Sequence, residues 1–207
     1  MDNYSEESFY KAPAGTTRCR FTVQGSRFIG TLAASATEEV CRRFLSELKQ
    51  EFPDATHHAY AFRIGAGSGL VERSSDDGEP AGSAGAPMLQ VLQGNNVSDA
   101  VVIATRYFGG TKLGIGGLTR AYRDCARLSL EEASLKRREP ADYFMLELSY
   151  EDLGQLNRLI ESLGGKIRSA EYTNSVTLKV KVPSRLGQNL TEGFESVCRG
   201  RGNWTRL

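Results

Sequence analysis

The chain has 207 residues, with 26 Lys and Arg against 25 Asp and Glu and a formal net charge of +1. Its whole surface therefore exerts no pull on polyanions, and any phosphate contact must come from a local patch. No apolar run reaches the ~20 residues needed to span a bilayer, and MDNYSEESFYK has neither the basic nor the apolar part of a secretory signal, so a cytoplasmic protein with no membrane partner is expected. The four cysteines, Cys19, Cys41, Cys125 and Cys198, lack CxxC spacing, which argues against a zinc knuckle and a disulfide framework.

Residues 1–15 are polar, contain Pro13 and Gly15, and read as a loose leader. Thr16 to Val23 alternates as a strand, Gln24 and Gly25 turn, and Arg27 to Leu32 supplies a second strand. Ser35 and Glu38 have capping-box spacing ahead of Val40, Phe44, Leu48 and Phe52, which predicts a helix over 36–52 stopped by Pro53. His57 to Ile64 reads as a strand, and GAGSGLVERSSDDGEPAGSAG as a long irregular loop. Pro87 to Gly94 suits a short helix. Ala100 to Thr105 is nearly all apolar, the pattern of a strand buried on both faces.

A glycine-rich hinge, RYFGGTKLGIGG, follows that strand and leads into a helix from Gly117. Leu118, Ala121, Tyr122, Cys125 and Leu128 form its core stripe. Lys136 to Pro140 reads as a boundary, where charge accumulates and a proline follows. Beyond it come strand 142–150, helix 152–163, strands 166–172 and 175–182, helix 183–198 and a strand near Trp204, which is the ferredoxin-like order. The expected division is a leader (1–15), a first domain (16–138) and a second domain (139–207).

The hinge is not a known nucleotide loop. In Gly109 to Gly114 the P-loop lysine and hydroxyl are missing, since Ile115 follows, and a dinucleotide fingerprint begun at Gly114 ends in threonine. What remains is general: glycines let backbone approach closely, and free amides at a helix start favour an anion. Arg120, Arg123 and Arg127 share one helix face, and Arg106 and Lys112 precede them. Either they form one basic surface with Gly109, Gly110, Gly114, Gly116 and Gly117, or they are a solvated face paired with Asp124 and Glu131.

The loop residues Asp76, Asp77, Glu79 and Ser83, with one histidine, His58, make an alternative polar site. His57 and His58 face opposite ways on a strand, so both cannot serve it. The carboxylates do not follow the calcium-loop spacing, and turn-making by aspartate explains them without a metal. No metal, cofactor or catalytic residue is assigned; no nucleophile elbow and no HExxH is present.

The segments HHAYAFRIG, SSDDGEPAGSAGAPML and VVIATRYFGGTKLGIGGLTRAY resemble the IMPACT family in its bacterial branch, with Ser83 standing where threonine is expected. The resemblance implies an α+β architecture: an N-terminal α/β sandwich similar to domain 2 of ribosomal protein S5, then a ferredoxin-like domain similar to the last domain of elongation factor G. It also implies a tie to translational control, with RNA, the ribosome or translation-regulating proteins as partners. No sequence-specific DNA binding is expected, and the oligomeric state is left open. Fold does not dictate function, so a small-anion binder or enzyme using the hinge and the DDGEP loop stands as the alternative.

Overall fold

The structure is a computed structural model that describes residues 9–207, and all their side chains except that of Ser68. The first eight residues of the expected leader lie outside the described span. The described chain divides into two compact units, Phe9–Arg138 and Glu139–Leu207.

The first unit is built on a five-stranded antiparallel sheet. Its strands are β2 (Thr17–Val23), β3 (Ser26–Ala34), β4 (His57–Ile64), β5 (Val71–Ser75) and β6 (Ala100–Tyr107), in the order β2-β3-β6-β4-β5. β6 is central and buried on both faces, as its apolar run predicts. Ala100, Val102 and Ala104 pack against α2 (Gly85–Gly94) and α3 (Gly114–Glu131), whereas Val101 and Ile103 pack against α1 (Glu38–Glu51). The N-cap of α1 is Thr37, whose Oγ1 accepts from Val40 N at 3.2 Å, and not the expected Ser35. Ser35 Oγ instead donates to the Thr37 carbonyl and receives the Cys41 thiol.

Three elements differ from expectation. Tyr10–Pro13, expected in the loose leader, is strand β1. It pairs with β7 (Leu135–Arg138), expected as a charged helix end and boundary. A two-stranded ribbon with charged outer residues has no helical or alternating apolar pattern to reveal it. β5 lies inside the stretch expected to be one irregular loop. It is an edge strand, fixed by Arg63 Nε to Glu72 Oε1 at 2.6 Å, and its VERSS sequence carries charge where a core strand would carry apolar residues.

The second unit has strand order β11-β8-β10-β9, with β8 (Ala141–Leu148), β9 (Lys166–Tyr172), β10 (Val176–Pro183) and β11 (Asn203–Arg206). Its helices α4 (Leu153–Ser162) and α5 (Gly187–Cys198) cover one face, burying Phe144, Leu146, Leu148, Leu178 and Val180 against Leu156, Ile160, Leu190 and Phe194. This is the ferredoxin-like arrangement. Among the described residues no helix is long and apolar enough to cross a membrane.

Candidate functional site

Strand alternation decides where Arg106 goes. It continues the Ala100, Val102, Ala104 face of β6 and so enters the core side, with 4% exposure, 5.5 Å from the ring centre of Phe28 and 5.6 Å from that of Phe108. Its Nη1 donates to Glu79 Oε1 at 2.6 Å and its Nη2 to Ser26 Oγ at 3.2 Å, while its Nε is buried with no hydrogen-bond partner among the described residues. Tyr122, from the core stripe of α3, donates its hydroxyl to the same Glu79 oxygen at 2.6 Å. Burial, followed by that bond, pushes the tyrosine pKa up, so the hydroxyl remains a donor.

Glu79 belongs to the DDGEP loop and Arg106 to the root of the hinge, so the two unusual stretches of the sequence meet here. The register pairs His57 with Arg106 and His58 with Thr105, so His57 is the histidine on the Glu79 face. Its Nε2 lies 3.8 Å from Glu79 Oε1 and its Nδ1 2.8 Å from the Asp77 carbonyl. His58, expected in the polar site, is buried on the other face with Nδ1 3.2 Å from Thr105 Oγ1. Burial, reinforced by Lys49, holds its imidazole below the usual histidine range.

The remaining loop residues serve backbone. Asp76 accepts from Gly82 N (2.8 Å), Ala84 N (2.9 Å) and Gly85 N (2.8 Å), which caps the start of α2 from a distance. Asp77 accepts from His58 N at 2.6 Å and lies 3.3 Å from Lys49 Nζ. Ser83 is fully buried and donates to the Pro80 carbonyl at 2.6 Å. Loop shape, then, is what these three side chains secure.

Burial alone would raise the Asp76 carboxyl, but its three amide donors outweigh that and hold it below the usual carboxylate range. A depressed folded pKa contributes stability above the unfolded value, ~3.9, and that contribution is lost as pH falls through the folded value. Asp76→Asn is expected to cost roughly 2 kcal/mol at neutral pH, about that of a charge-assisted hydrogen bond. It should also flatten the loss of stability below about pH 4. Urea midpoints from pH 3 to 7 check both; an unchanged profile would mean the cap carries no stability.

The hinge itself divides into a packed and an open part. A Cβ on Gly109 would lie 1.9 Å from the carbonyl carbon of Gly25, so the hinge root rests on the β2–β3 turn with no room for a side chain. Gly109 N also donates to Ser26 Oγ at 3.1 Å, and Gly117 is filled from one side by Leu113. Gly110 and Gly114, with φ of +86° and +68°, have no atom within 4 Å of where a Cβ would stand. Beside Gly116 the nearest such atom is Arg120 Nη1, at 3.7 Å.

The expected basic face is correspondingly smaller. Arg106 is internal and neutralised by Glu79, and Arg127 is paired with Glu131 at 2.7 Å and Asp124 at 3.1 Å. Lys112, Arg120 and Arg123 are exposed, with no ion pair among the described residues. α3 starts three residues earlier than expected, at Gly114, with no side-chain cap and no acid in its first turn. Arg120 thus brings a cation back over the positive end of its own helix.

Ser26, Tyr122 and His57 belong to this cluster and escape the sequence reading. Tyr122 carried a signal, since a tyrosine in a buried stripe needs a partner for its hydroxyl. His57 follows only once the β4–β6 register is known, and nothing in the spacing marks Ser26.

Compared with known proteins, residues 24–130 match the Impact N-terminal domain, and residues 146–201 match a domain of unknown function, DUF1949. The class is thus an Impact N-terminal domain followed by a ferredoxin-like one. The chain belongs to the IMPACT family. It is 35% identical to IMPACT family member YigZ of Escherichia coli (strain K12), over 91% of this chain and 93% of that one. A solved structure described as a hypothetical protein superposes with a TM-score of 0.72 at 32% identity, covering 97% of this chain and 98% of its own. Protein IMPACT of Oryctolagus cuniculus is 33% identical over 54% of this chain and 35% of its own length.

Proposed function

We propose that this protein is a binding protein of translational control that holds RNA phosphates at its glycine hinge, in line with the translation-related role of the eukaryotic IMPACT relatives. The observation that carries this reading is the return of Arg120 to the uncapped start of α3, its Nη1 3.7 Å from where a Cβ on Gly116 would stand, with Lys112 exposed in the hinge just before that helix. Like charges gathered at a positive helix end repel one another until an anion arrives. The Arg106–Glu79–Tyr122 cluster supports it from beneath by fixing the hinge root.

The test is an anisotropy titration with a labelled single-stranded RNA 20-mer over a salt series. Binding should weaken as salt rises, by a log–log slope of ~0.7 per phosphate contact. Arg120→Glu should lower both affinity and slope. Absence of binding at low salt, or affinity indifferent to salt, counts against phosphate contact. The joining of hinge and DDGEP loop through Glu79 and Arg106 favours a second reading, a small-anion site. Displacement of the RNA by inorganic phosphate at micromolar concentration would turn the conclusion to that reading.

A further inference from the structure

Both helices of the second unit pack on one face of its sheet, and among the described residues those on the other face are sorted by charge. Along β8 the burial alternates, with Phe144, Leu146 and Leu148 inward and Tyr143, Met145 and Glu147 outward. Outward on β10 are Thr177, Lys179 and Lys181. The register lays these out in rows across the strands. One row is Tyr143, Lys181 and Lys166. The next is Thr205, Met145, Lys179 and Ser169, and the third is Asn203, Glu147, Thr177 and Glu171. Positive charge therefore gathers in the first two rows and negative charge in the third.

At the positive end the sheet is indented. Lys166, Arg168 and Lys181 line a cavity of about 220 Å³ with Pro140, Ala141 and Gly164. Arg168 is the unpaired extra residue where the β9–β10 register shifts, a bulge that re-aims its side chain. The carboxylate in the lining, Glu139, is engaged by Arg185 Nε at 2.7 Å. Lys166 and Lys181 stand opposite each other in the register, and like charges so placed destabilise a sheet. Lys181 Nζ lies 5.8 Å from the ring centre of Tyr143, so the cationic cavity adjoins an aromatic ring that is 36% exposed, with Met145 beyond it at 43%.

We infer that this face is a binding site for single-stranded nucleic acid. A phosphate sits among Lys166, Arg168 and Lys181, and the neighbouring base stacks on Tyr143 and Met145. The pairing of an anion cavity with a partly exposed ring, joined by Lys181, which lines the one and lies 5.8 Å from the centre of the other, is what selects this occupant over an acidic peptide, which would use the cations and leave the ring idle. The site lies wholly in the second unit and stands or falls independently of the hinge.

The test uses the full chain, with labelled oligouridylate 12-mer as the probe, in both the wild-type and Arg120→Glu backgrounds. Tyr143→Ala is expected to weaken binding roughly 5- to 100-fold, the loss of one stacked base, while Tyr143→Phe retains it. Lys181→Ala should reduce the salt slope by ~0.7. Thermal melts confirm that each variant is folded, as expected for side chains outside the core. Undiminished binding by Tyr143→Ala in both backgrounds overturns the proposal, as does equal competition by poly-glutamate. Loss with Tyr143→Ala but none with Arg120→Glu would sustain this site and sink the hinge reading.

Discussion

Replacing Glu79 by alanine is expected to destabilise the first unit by about 3–5 kcal/mol, the cost of leaving a buried charge without its counterion. Glu79 and Arg106 are each less than a tenth exposed, and the glutamate oxygen that receives Arg106 also receives Tyr122. Removal strands a guanidinium that already has one unpartnered nitrogen, together with a tyrosine hydroxyl. Three more conservative changes made together, Arg106→Met, Glu79→Met and Tyr122→Phe, remove the buried charges and the hydroxyl that meet at the Glu79 oxygen and should recover most of the loss. Chemical denaturation midpoints separate the cases. A loss under about 1 kcal/mol for Glu79→Ala would show that Arg106 simply rehydrates and that the pair is of the weak, exposed kind.

The second large effect is expected at Gly109. Gly109→Ala places a methyl 1.9 Å from one backbone atom of Gly25 and 2.2 Å from two others, the Gly25 oxygen and Ser26 nitrogen. A backbone neighbour cannot rotate away, so the hairpin turn and hinge must separate, at about 3 kcal/mol, the upper end of what overpacking costs. Gly25 has φ +81° and its own Cβ position lies 2.9 Å from the Gly109 oxygen, so the turn has no easy alternative shape. Gly116→Ala provides the contrast. It lies within α3 with space around it, and should raise stability by up to ~1 kcal/mol. Thermal melts of the two variants should therefore shift in opposite directions. Equal, small shifts would mean the hinge root is not a fixed contact.

Much of this architecture could be read from the chain. The apolar run at Ala100 announced a central strand, and the periodicity of the second half announced ferredoxin-like order, because both patterns report burial directly. What escaped was whatever burial does not encode. β1, β5 and β7 are edge or ribbon strands whose outer residues are charged. Arg106 resembled a surface cation beside Lys112, because charge in a sequence carries no sign of whether a partner waits in the fold. Its position one step beyond Ala104, on the same strand face, was the available clue. Glu79 gave none, since a loop carboxylate can turn to solvent as easily as inward. His57 and His58 were correctly separated onto opposite faces, but the choice between them required the register.

The β1–β7 ribbon has a consequence for how the first unit comes into being. Tyr10 stands opposite Arg138, so the first described strand of the unit finds its hydrogen-bond partner in the last. During synthesis β2 to β6, and the helices between them, can assemble with β1 held on one side only, where Lys11 N donates to Asn96 O and Ser98 N to Lys11 O, and the arrival of Leu135–Arg138 pairs its other side. Closure of that second side is thus a late, long-range event, and a chain interrupted before Leu135 leaves one side of β1 an open edge.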